Sequence, residues 1–194
     1  MANTVQSTKK LYTIGEFVGQ LRALPELAFD DVSQVTEFLR KCPVNPQSLT
    51  GYLTWNGQHY TRNLVDHTDM YDLIAICWEV GQGSSIHNHE GQKCWMATPI
   101  GRLLVQNYRV IADCAAGCCE LSPTSRFEMS SENPVAVDPA EPVHEVTNPK
   151  EFGERAVSLH IYSRPFDHCL VYSAEKRTCG EVQLHFDTVY GKPA

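Results

Sequence analysis

The segment Gly81-Gln-Gly-Ser-Ser-Ile-His87-Asn-His89-Glu-Gly-Gln-Lys-Cys94 carries two histidines separated by a single residue. Residues two apart in a β-strand point to the same face, so His87 and His89 can project together into the interior of a barrel. Two imidazoles on one strand form a natural pair of metal ligands. An isolated His-x-His pair also occurs on protein surfaces, so the interpretation depends on the flanking residues.

The flanking residues have the spacing of the first signature of the cupin barrels. Gly81, His87, His89, Cys94 and Gly101 fall at the positions of that signature, in which the place of Cys94 is usually taken by a glutamate ligand. The segment therefore resembles the metal-binding part of a cupin, with a thiol where the carboxylate would be.

A later segment supplies a third histidine. The run Pro139-Ala-Glu-Pro-Val-His144-Glu-Val-Thr-Asn148 resembles the second cupin signature, with Glu141 in place of the usual glycine. His87, His89 and His144 are thus the candidate metal ligands. Three neutral imidazoles leave a divalent iron its full charge and open positions for a thiolate and dioxygen. A zinc site, or a set of hydrogen-bonded core histidines, is the alternative.

Length and charge limit the class of protein. The chain has 194 residues and a formal net charge of −7, which argues against a nucleic-acid partner. It has no apolar run near the ~20 residues of a membrane span, and residues 1–10 lack the apolar core of a secretory signal. We therefore expect a cytoplasmic monomer without a nucleic-acid or membrane partner.

Eight cysteines are present, and in a reducing compartment we expect free thiols rather than disulfides. Cys114, Cys118 and Cys119 form a cluster. Its close spacing favours a loop with oxidisable thiols over a zinc site.

Helical patterns occupy the first third of the chain. Thr13 and Glu16 form a potential capping box before one apolar helical pattern, a second pattern runs from residue 32 to residue 39, and a short helix is predicted at 46–52. From Tyr60 onward, short β-rich segments alternate with turns. We predict strands at 60–64, 73–79, 83–89, 94–99, 101–110, 135–137, 144–147, 156–163, 169–173 and 180–186. The fold class is therefore mainly β: one domain with a helical part at 1–54 and a cupin-type, jelly-roll-like antiparallel barrel at 55–194.

Four separate stretches in order resemble the cysteine dioxygenase family, the thiol dioxygenase branch of the cupins. They are Tyr60-Thr-Arg-Asn-Leu, Ile76-Cys-Trp-Glu-Val-Gly-Gln-Gly-Ser-Ser-Ile-His-Asn-His89, Ala156-Val-Ser-Leu-His-Ile-Tyr162 and Pro165-Phe-Asp. The resemblance covers roughly residues 55–186, and the helical third fits the family more loosely.

The resemblance implies an enzyme of cysteine catabolism that oxidises free L-cysteine to its sulfinic acid with both atoms of O2, a step toward taurine biosynthesis. His87, His89 and His144 match the Fe(II) ligands of the family. Arg62 matches the residue that receives the substrate carboxylate, and Tyr60 lies beside it in the family's pocket.

The resemblance also assigns residues around the metal. Tyr162 matches a tyrosine next to the iron, and Cys94 matches a cysteine that can be joined to it by a thioether. Ser158 and His160 match a hydrogen-bonding pair that leads to this tyrosine. Because Ser158, His160 and Tyr162 alternate along one predicted strand, they share a face and can pass a hydrogen bond along it.

Two rival functions remain open. A 3-mercaptopropionate dioxygenase has the same iron site, but it typically carries glutamine at the place of Arg62 and lacks the crosslinking cysteine. A non-catalytic cupin that binds a metal and a small ligand is the second rival. Arg62 together with Cys94 favours cysteine as the substrate.

Overall fold

The structure of the protein, a computed structural model, describes residues 10–114, 118–137 and 142–194. Helical elements lie before the first strand, apart from one later turn. They are the α-helices α1 (Ile14–Arg22) and α2 (Val32–Lys41) and the 3-10 turns Glu26–Asp30, Pro46–Tyr52 and Lys150–Phe152. Within the described ranges, no helix has both the length and the apolar character needed to cross a membrane.

Strands make up the rest of the fold. They are β1 (Thr61–His67), β2 (Asp72–Trp78), β3 (Ile86–His87), β4 (Lys93–Ile100), β5 (Leu103–Cys114), β6 (Cys118–Met129), β7 (Val135–Ala136), β8 (Val143–Thr147), β9 (Ala156–Ser163), β10 (His168–Ser173), β11 (Thr178–Gln183), β12 (Thr188–Val189) and β13 (Lys192–Pro193).

These strands form two sheets. Sheet I has the order β13-β12-β1-β2-β9-β4-β7, and sheet II closes on itself in the order β10-β11-β6-β5-β8-β3. The ladders are antiparallel except for the short parallel pairing of β1 with β12. His87 and His144 lie on strands β3 and β8 of sheet II, whereas Arg62 and Tyr162 lie on strands β1 and β9 of sheet I.

Strand β9 is central in sheet I, between β2 and β4, and every one of its residues is buried. Its odd-numbered side chains, Val157, Leu159 and Ile161, pack in the apolar cluster formed with the N-terminal helices. Its even-numbered side chains lie on the opposite face, because the side-chain period of a strand is two. Tyr162 on that face belongs to the cluster between the two sheets. The helices therefore cover one face of sheet I and leave the other for the site.

Helix α1 is fixed at both ends by side chains. Thr13 accepts a hydrogen bond from the Glu16 amide at 3.2 Å, and the Glu16 carboxylate accepts one from the Thr13 amide at 2.8 Å, so the predicted capping box is confirmed. Arg22 in the last turn donates to the buried carboxylate of Asp66 on β1, which also accepts a hydrogen bond from the Tyr71 hydroxyl. These bonds tie the helical part to sheet I.

The predicted mainly β fold with N-terminal helices is confirmed. Two interpretations of local segments are wrong. Residues 118–129 form the long strand β6, which was not predicted because its polar residues lack an apolar alternation, and it is held by pairing with β5. Cys118 and Cys119 consequently lie in a strand and not in a loop. Residues 1–9, 115–117 and 138–141 lie outside the described residues. They include Pro139 and Glu141 of the segment that resembles the second signature.

Gly101, the last glycine of the first signature, has a positive φ of +68°. A Cβ at this position would lie 2.6 Å from the Arg155 carbonyl oxygen and 3.1 Å from the Ala156 Cα atom. The turn between β4 and β5 therefore approaches β9 too closely for a side chain. The signature glycine is explained by backbone packing at the edge of the sheet that carries the site.

We predict that Gly101→Ala lowers the free energy of unfolding more than Gly153→Ala does. Gly153 has almost the same φ, +69°, but a Cβ there meets nothing within 4 Å. Gly153→Ala should cost about 1–2 kcal/mol for the left-handed conformation, and Gly101→Ala should cost about 1–3 kcal/mol more for the steric contact. Urea denaturation measures both, and equal losses would contradict the packing argument.

Candidate metal centre

Three histidines converge between the sheets. His87 on β3 and His144 on β8 are direct partners in the antiparallel ladder. The ring of His89 lies 5.2 Å from the ring of His87 and 4.9 Å from that of His144, centroid to centroid. One ligand atom from each of the three lies within 4.8 Å of the others. The structure thus brings together the predicted ligand set.

His89 reaches this position from outside a strand. The predicted strand 83–89 is shorter in the structure, because β3 ends at His87. Asn88 is nevertheless fixed to β10, since its amide donates to the Leu170 carbonyl and its side-chain oxygen accepts from the Leu170 amide. These two bonds hold the backbone beside His89 without regular strand structure.

The nitrogens of these imidazoles are available to a metal. Both ring nitrogens of His89, and Nε2 of His144, are buried without a hydrogen-bond partner among the described residues. Nδ1 of His87 lies 2.8 Å from the Ser85 carbonyl oxygen, to which it can donate, so that its Nε2 keeps a free lone pair. A buried polar atom without a partner costs about 1–3 kcal/mol. A metal ion that accepts these lone pairs fits the site.

The protonation state also fits a metal. Burial lowers the pKa of His87 to about 4, and it holds the pKa values of His89 and His144 well below the ordinary value. All three imidazoles are therefore neutral at pH 7, which is the form that binds a metal.

A cavity of about 260 Å³ opens beside the histidines. It lies between sheet I, which contributes Arg62 and Tyr162, and sheet II, which contributes His87. Its lining contains both apolar and polar side chains. The lining residues are Tyr60, Arg62, Ser85, His87, His89, Tyr162, Phe166, Cys169, Val171, Val182, Gln183, Leu184 and His185.

Arg62 brings a positive charge into this cavity. Its Nε is buried without a hydrogen-bond partner among the described residues, and its guanidinium carbon lies 5.8 Å from the centre of the Phe186 ring. Its backbone amide donates to the Asp187 carboxylate at 2.8 Å, which fixes the strand at this point. A guanidinium that lines a cavity and has a buried Nε–H without a partner among the described residues is suited to an anionic ligand.

Tyr60 lines the cavity beside Arg62. Its ring stacks on Trp78 with 4.7 Å between ring centroids. Burial raises the pKa of the Tyr60 phenol, although the charge of Arg62 acts in the opposite direction. The phenol therefore stays protonated at neutral pH.

A chain of hydrogen bonds crosses sheet I toward the cavity. The indole Nε1–H of Trp78 donates to Ser158 Oγ at 2.9 Å. Ser158 Oγ lies 2.8 Å from His160 Nε2, and His160 Nδ1 lies 3.0 Å from the Tyr162 hydroxyl oxygen. Burial lowers the pKa of His160 to about 3, so this imidazole is neutral. The three alternating residues of β9 thus form a continuous row that ends at the cavity.

Cys94 on β4 lies directly opposite Tyr162 on β9 in the antiparallel ladder. Both side chains are buried between the sheets. Burial raises the pKa of the Cys94 thiol, and burial together with the neighbouring Cys94 raises that of the Tyr162 phenol. The thiol and the phenol are therefore both protonated neighbours in the folded chain.

Sequence reasoning missed several residues of the site. Trp78 was part of a quoted motif, but its donor role depends on contact with a strand 80 positions away along the chain. The cavity wall also includes Cys169 and Leu184, which were not singled out in the sequence, and Phe166, which was quoted only as part of the stretch Pro165-Phe-Asp. Asn148, named only as part of a signature, donates to the carbonyl oxygens of Trp78, Glu79 and Glu154.

Comparisons with known proteins identify a family. The family model described as cysteine dioxygenase type I matches residues 1–175, so the similarity includes the helical part that fits the motifs loosely. Cysteine dioxygenase type 1 of Rattus norvegicus is 30% identical over 175 residues, covering 88% of this chain and 86% of that protein. The Danio rerio protein of the same name is 26% identical over 183 residues, covering 93% and 89%. A Thermus thermophilus crystal structure aligns with a TM-score of 0.45 and 17% identity, covering 60% of this chain and 93% of that chain.

We predict that Fe²⁺ binds the full chain through the three histidines and that His89→Ala weakens this binding at least about 100-fold, because one ligand is lost. Anaerobic competition with a chromophoric chelator measures the affinity. His185→Ala is the matched control, because His185 lines the same cavity but lies outside the three-histidine group. Equal affinity in His89→Ala and the unsubstituted chain would contradict the assignment.

Proposed function

Because this chain belongs to the cysteine dioxygenase type I family and is a dioxygenase, we propose that it oxidises the thiol of free L-cysteine to cysteine sulfinate. The thiolate and one molecule of O2 combine to give the sulfinate, so both oxygen atoms end on sulfur and no further oxidant or reductant is needed. The observation that carries the proposal is that the Arg62 guanidinium, with its buried and unpartnered Nε, lines the same cavity as His87 and His89, two members of the three-histidine group.

His87, His89 and His144 would hold a ferrous ion. When bound, the ion supplies the Lewis-acid and redox chemistry that joins the thiol sulfur to dioxygen. Because all three ligands are neutral, the protein adds no negative charge that would repel an anionic thiolate.

Arg62 is the proposed partner of the substrate carboxylate. Its planar guanidinium can bind a carboxylate through two parallel hydrogen bonds. Tyr60 lies beside it as a protonated phenol that can donate a further hydrogen bond. Together they would hold the amino acid by the end opposite to its reacting sulfur, so that the thiol is presented to the metal centre.

Tyr162 is the proposed hydrogen-bond donor on the reacting side. Burial keeps its phenol protonated, and the His160 imidazole at 3.0 Å fixes its orientation. Ser158 in turn fixes His160. This row would hold one proton at the phenol oxygen, where it can be donated to the substrate or to oxygen without side-chain rearrangement.

We predict that the iron-loaded protein consumes oxygen with L-cysteine, forms cysteine sulfinate and prefers L-cysteine to 3-mercaptopropionate. Both thiols carry a carboxylate that Arg62 could bind, so the comparison tests which of the two is the substrate. Oxygen uptake at an oxygen electrode, together with product analysis, measures the reaction with each thiol. Preference for 3-mercaptopropionate would overturn the substrate assignment. Absence of oxygen uptake with either thiol would overturn the proposed reaction and favour a metal-binding cupin without catalysis.

Within the same prediction, Arg62→Gln should raise the KM for L-cysteine between about 10-fold and 100-fold, which corresponds to losing a charge-assisted hydrogen bond. Arg164→Gln is the control, because Arg164 is exposed and pairs with Glu26 on the surface. An unchanged KM in Arg62→Gln would exclude Arg62 as the carboxylate partner.

We also predict a thioether between Cys94 Sγ and a ring carbon of Tyr162, formed when dioxygen accepts the hydrogens of the thiol and of the ring C–H. Intact-protein mass spectrometry should show a species lighter by about two hydrogen masses after turnover with iron and cysteine. Cys94→Ala and Tyr162→Phe should abolish this species. Persistence of the mass difference in Cys94→Ala would contradict the assignment, because the bond requires this sulfur.

A further inference from the structure

Trp78 contacts two parts of the site, the Tyr60 ring and the Ser158 hydroxyl group. Its side chain is fully buried on β2, with 1% of its surface exposed. One face of its ring stacks on Tyr60, the proposed substrate-binding phenol, with an interplanar angle of 29°. Its indole N–H donates to Ser158, the first residue of the row that leads to Tyr162. The Trp78 side chain therefore connects Tyr60, on the proposed substrate-binding side of the cavity, to the hydrogen-bonded row that ends at Tyr162.

We propose that Trp78 is a positioning residue whose indole N–H sets the direction of the Ser158–His160–Tyr162 hydrogen bonds, so that the hydroxyl proton of Tyr162 is free for an acceptor outside the row. The inference deepens the proposed function and rests on it for the role of Tyr162. The direction of the bonds is a property of the folded chain, and it can be measured without catalysis.

An indole N–H can only donate, so its bond to Ser158 occupies one acceptor site of the hydroxyl oxygen. Ser158 is completely buried, and its own proton needs an acceptor. Nε2 of His160 lies 2.8 Å away and provides one. With the indole present, the arrangement that satisfies every buried proton has Ser158 donating to His160.

The rest of the row follows from the neutral imidazole. If Nε2 of His160 accepts a hydrogen bond, the single ring proton lies on Nδ1. Nδ1 faces the Tyr162 hydroxyl oxygen at 3.0 Å, so it donates to that oxygen. The hydroxyl proton of Tyr162 is then not used within the row, and it is free for an acceptor outside it, either the Cys94 sulfur, which is within hydrogen-bonding reach, or a ligand in the cavity that Tyr162 lines.

Removing the indole N–H would relax this direction, because the Ser158 hydroxyl could then turn its own proton toward the position that the indole N–H had occupied. Ser158 could then accept from a His160 protonated on Nε2, while His160 Nδ1 accepted the proton of Tyr162. In that reversed arrangement the phenol proton is held by the imidazole and is not available to the cavity. Trp78→Phe removes the donor but keeps an aromatic ring beside Tyr60, so it separates the two contacts of Trp78.

The first test reads the tautomer of His160 directly. Two-bond ¹H–¹⁵N correlation spectra of the full chain labelled with ¹⁵N-histidine, both metal-free and loaded with diamagnetic Zn²⁺, distinguish a proton on Nδ1 from one on Nε2. We expect Nδ1–H in the unsubstituted chain, and Nε2–H or a mixture in Trp78→Phe. His160→Gln assigns the signal.

The matched control is Trp95→Phe. Trp95 is also fully buried, and its indole also donates a hydrogen bond, but to the Val32 carbonyl oxygen at the start of α2. This variant loses a buried indole donor without touching the row, so the His160 tautomer should not change. A change of equal size in Trp95→Phe would show a general packing effect and overturn the proposal.

The second test is kinetic. We expect Trp78→Phe to lower kcat for cysteine about 10-fold with little change in KM, because Arg62 and an aromatic partner for Tyr60 remain. If Trp78 acts through Ser158, adding Trp78→Phe to Ser158→Ala should lower kcat no further. Additive losses, or a loss confined to KM, would overturn the positioning role.

The two proposals fail in different ways. An unsubstituted chain with His160 protonated on Nε2 overturns this inference whatever the activity, and it does so even if Trp78→Phe does not fold. An unsubstituted chain with the Nδ1–H tautomer and no oxygen uptake overturns the proposed function and leaves the direction of the bonds intact.

Discussion

The period of two along the strands of sheet I is the constraint on which the structure depends. Strand β9 is buried on both faces, so successive side chains must satisfy two different environments. Val157, Leu159 and Ile161 pack under the N-terminal helices, and the alternate residues form a polar row toward the cavity. A slip of one residue in register would place the polar row in the apolar cluster and the apolar row in the site.

The helical part therefore supports the site indirectly, because it packs against the sheet that carries Arg62 and Tyr162. It covers the apolar face of sheet I, and its end is held by the bond of Arg22 to Asp66. Sheet II then closes over the other face and brings His87 and His144 opposite each other. Two of the three histidines are thus fixed by strands, and His89 is held beside them by the bonds of Asn88 to β10.

Burial has opposite effects on the two kinds of titratable group in the site. It keeps the imidazoles deprotonated and ready to bind a metal, and it keeps the phenols and the Cys94 thiol protonated. The result is a cavity lined by neutral imidazoles, protonated phenols and the guanidinium of Arg62.

The sequence by itself determined the fold class and the capped first helix, because these depend on local periodicity and capping chemistry, and its resemblance to the cupin signatures pointed to the three histidines that the structure brings together. Tertiary structure alone decided the rest. β6 exists through its pairing with β5 and not through its own pattern, and His89 is placed by the pairing of Asn88 with β10. The bond from Trp78 to Ser158 and the meeting of Cys94 with Tyr162 depend on strand order and register, which bring distant segments together and which no local pattern encodes.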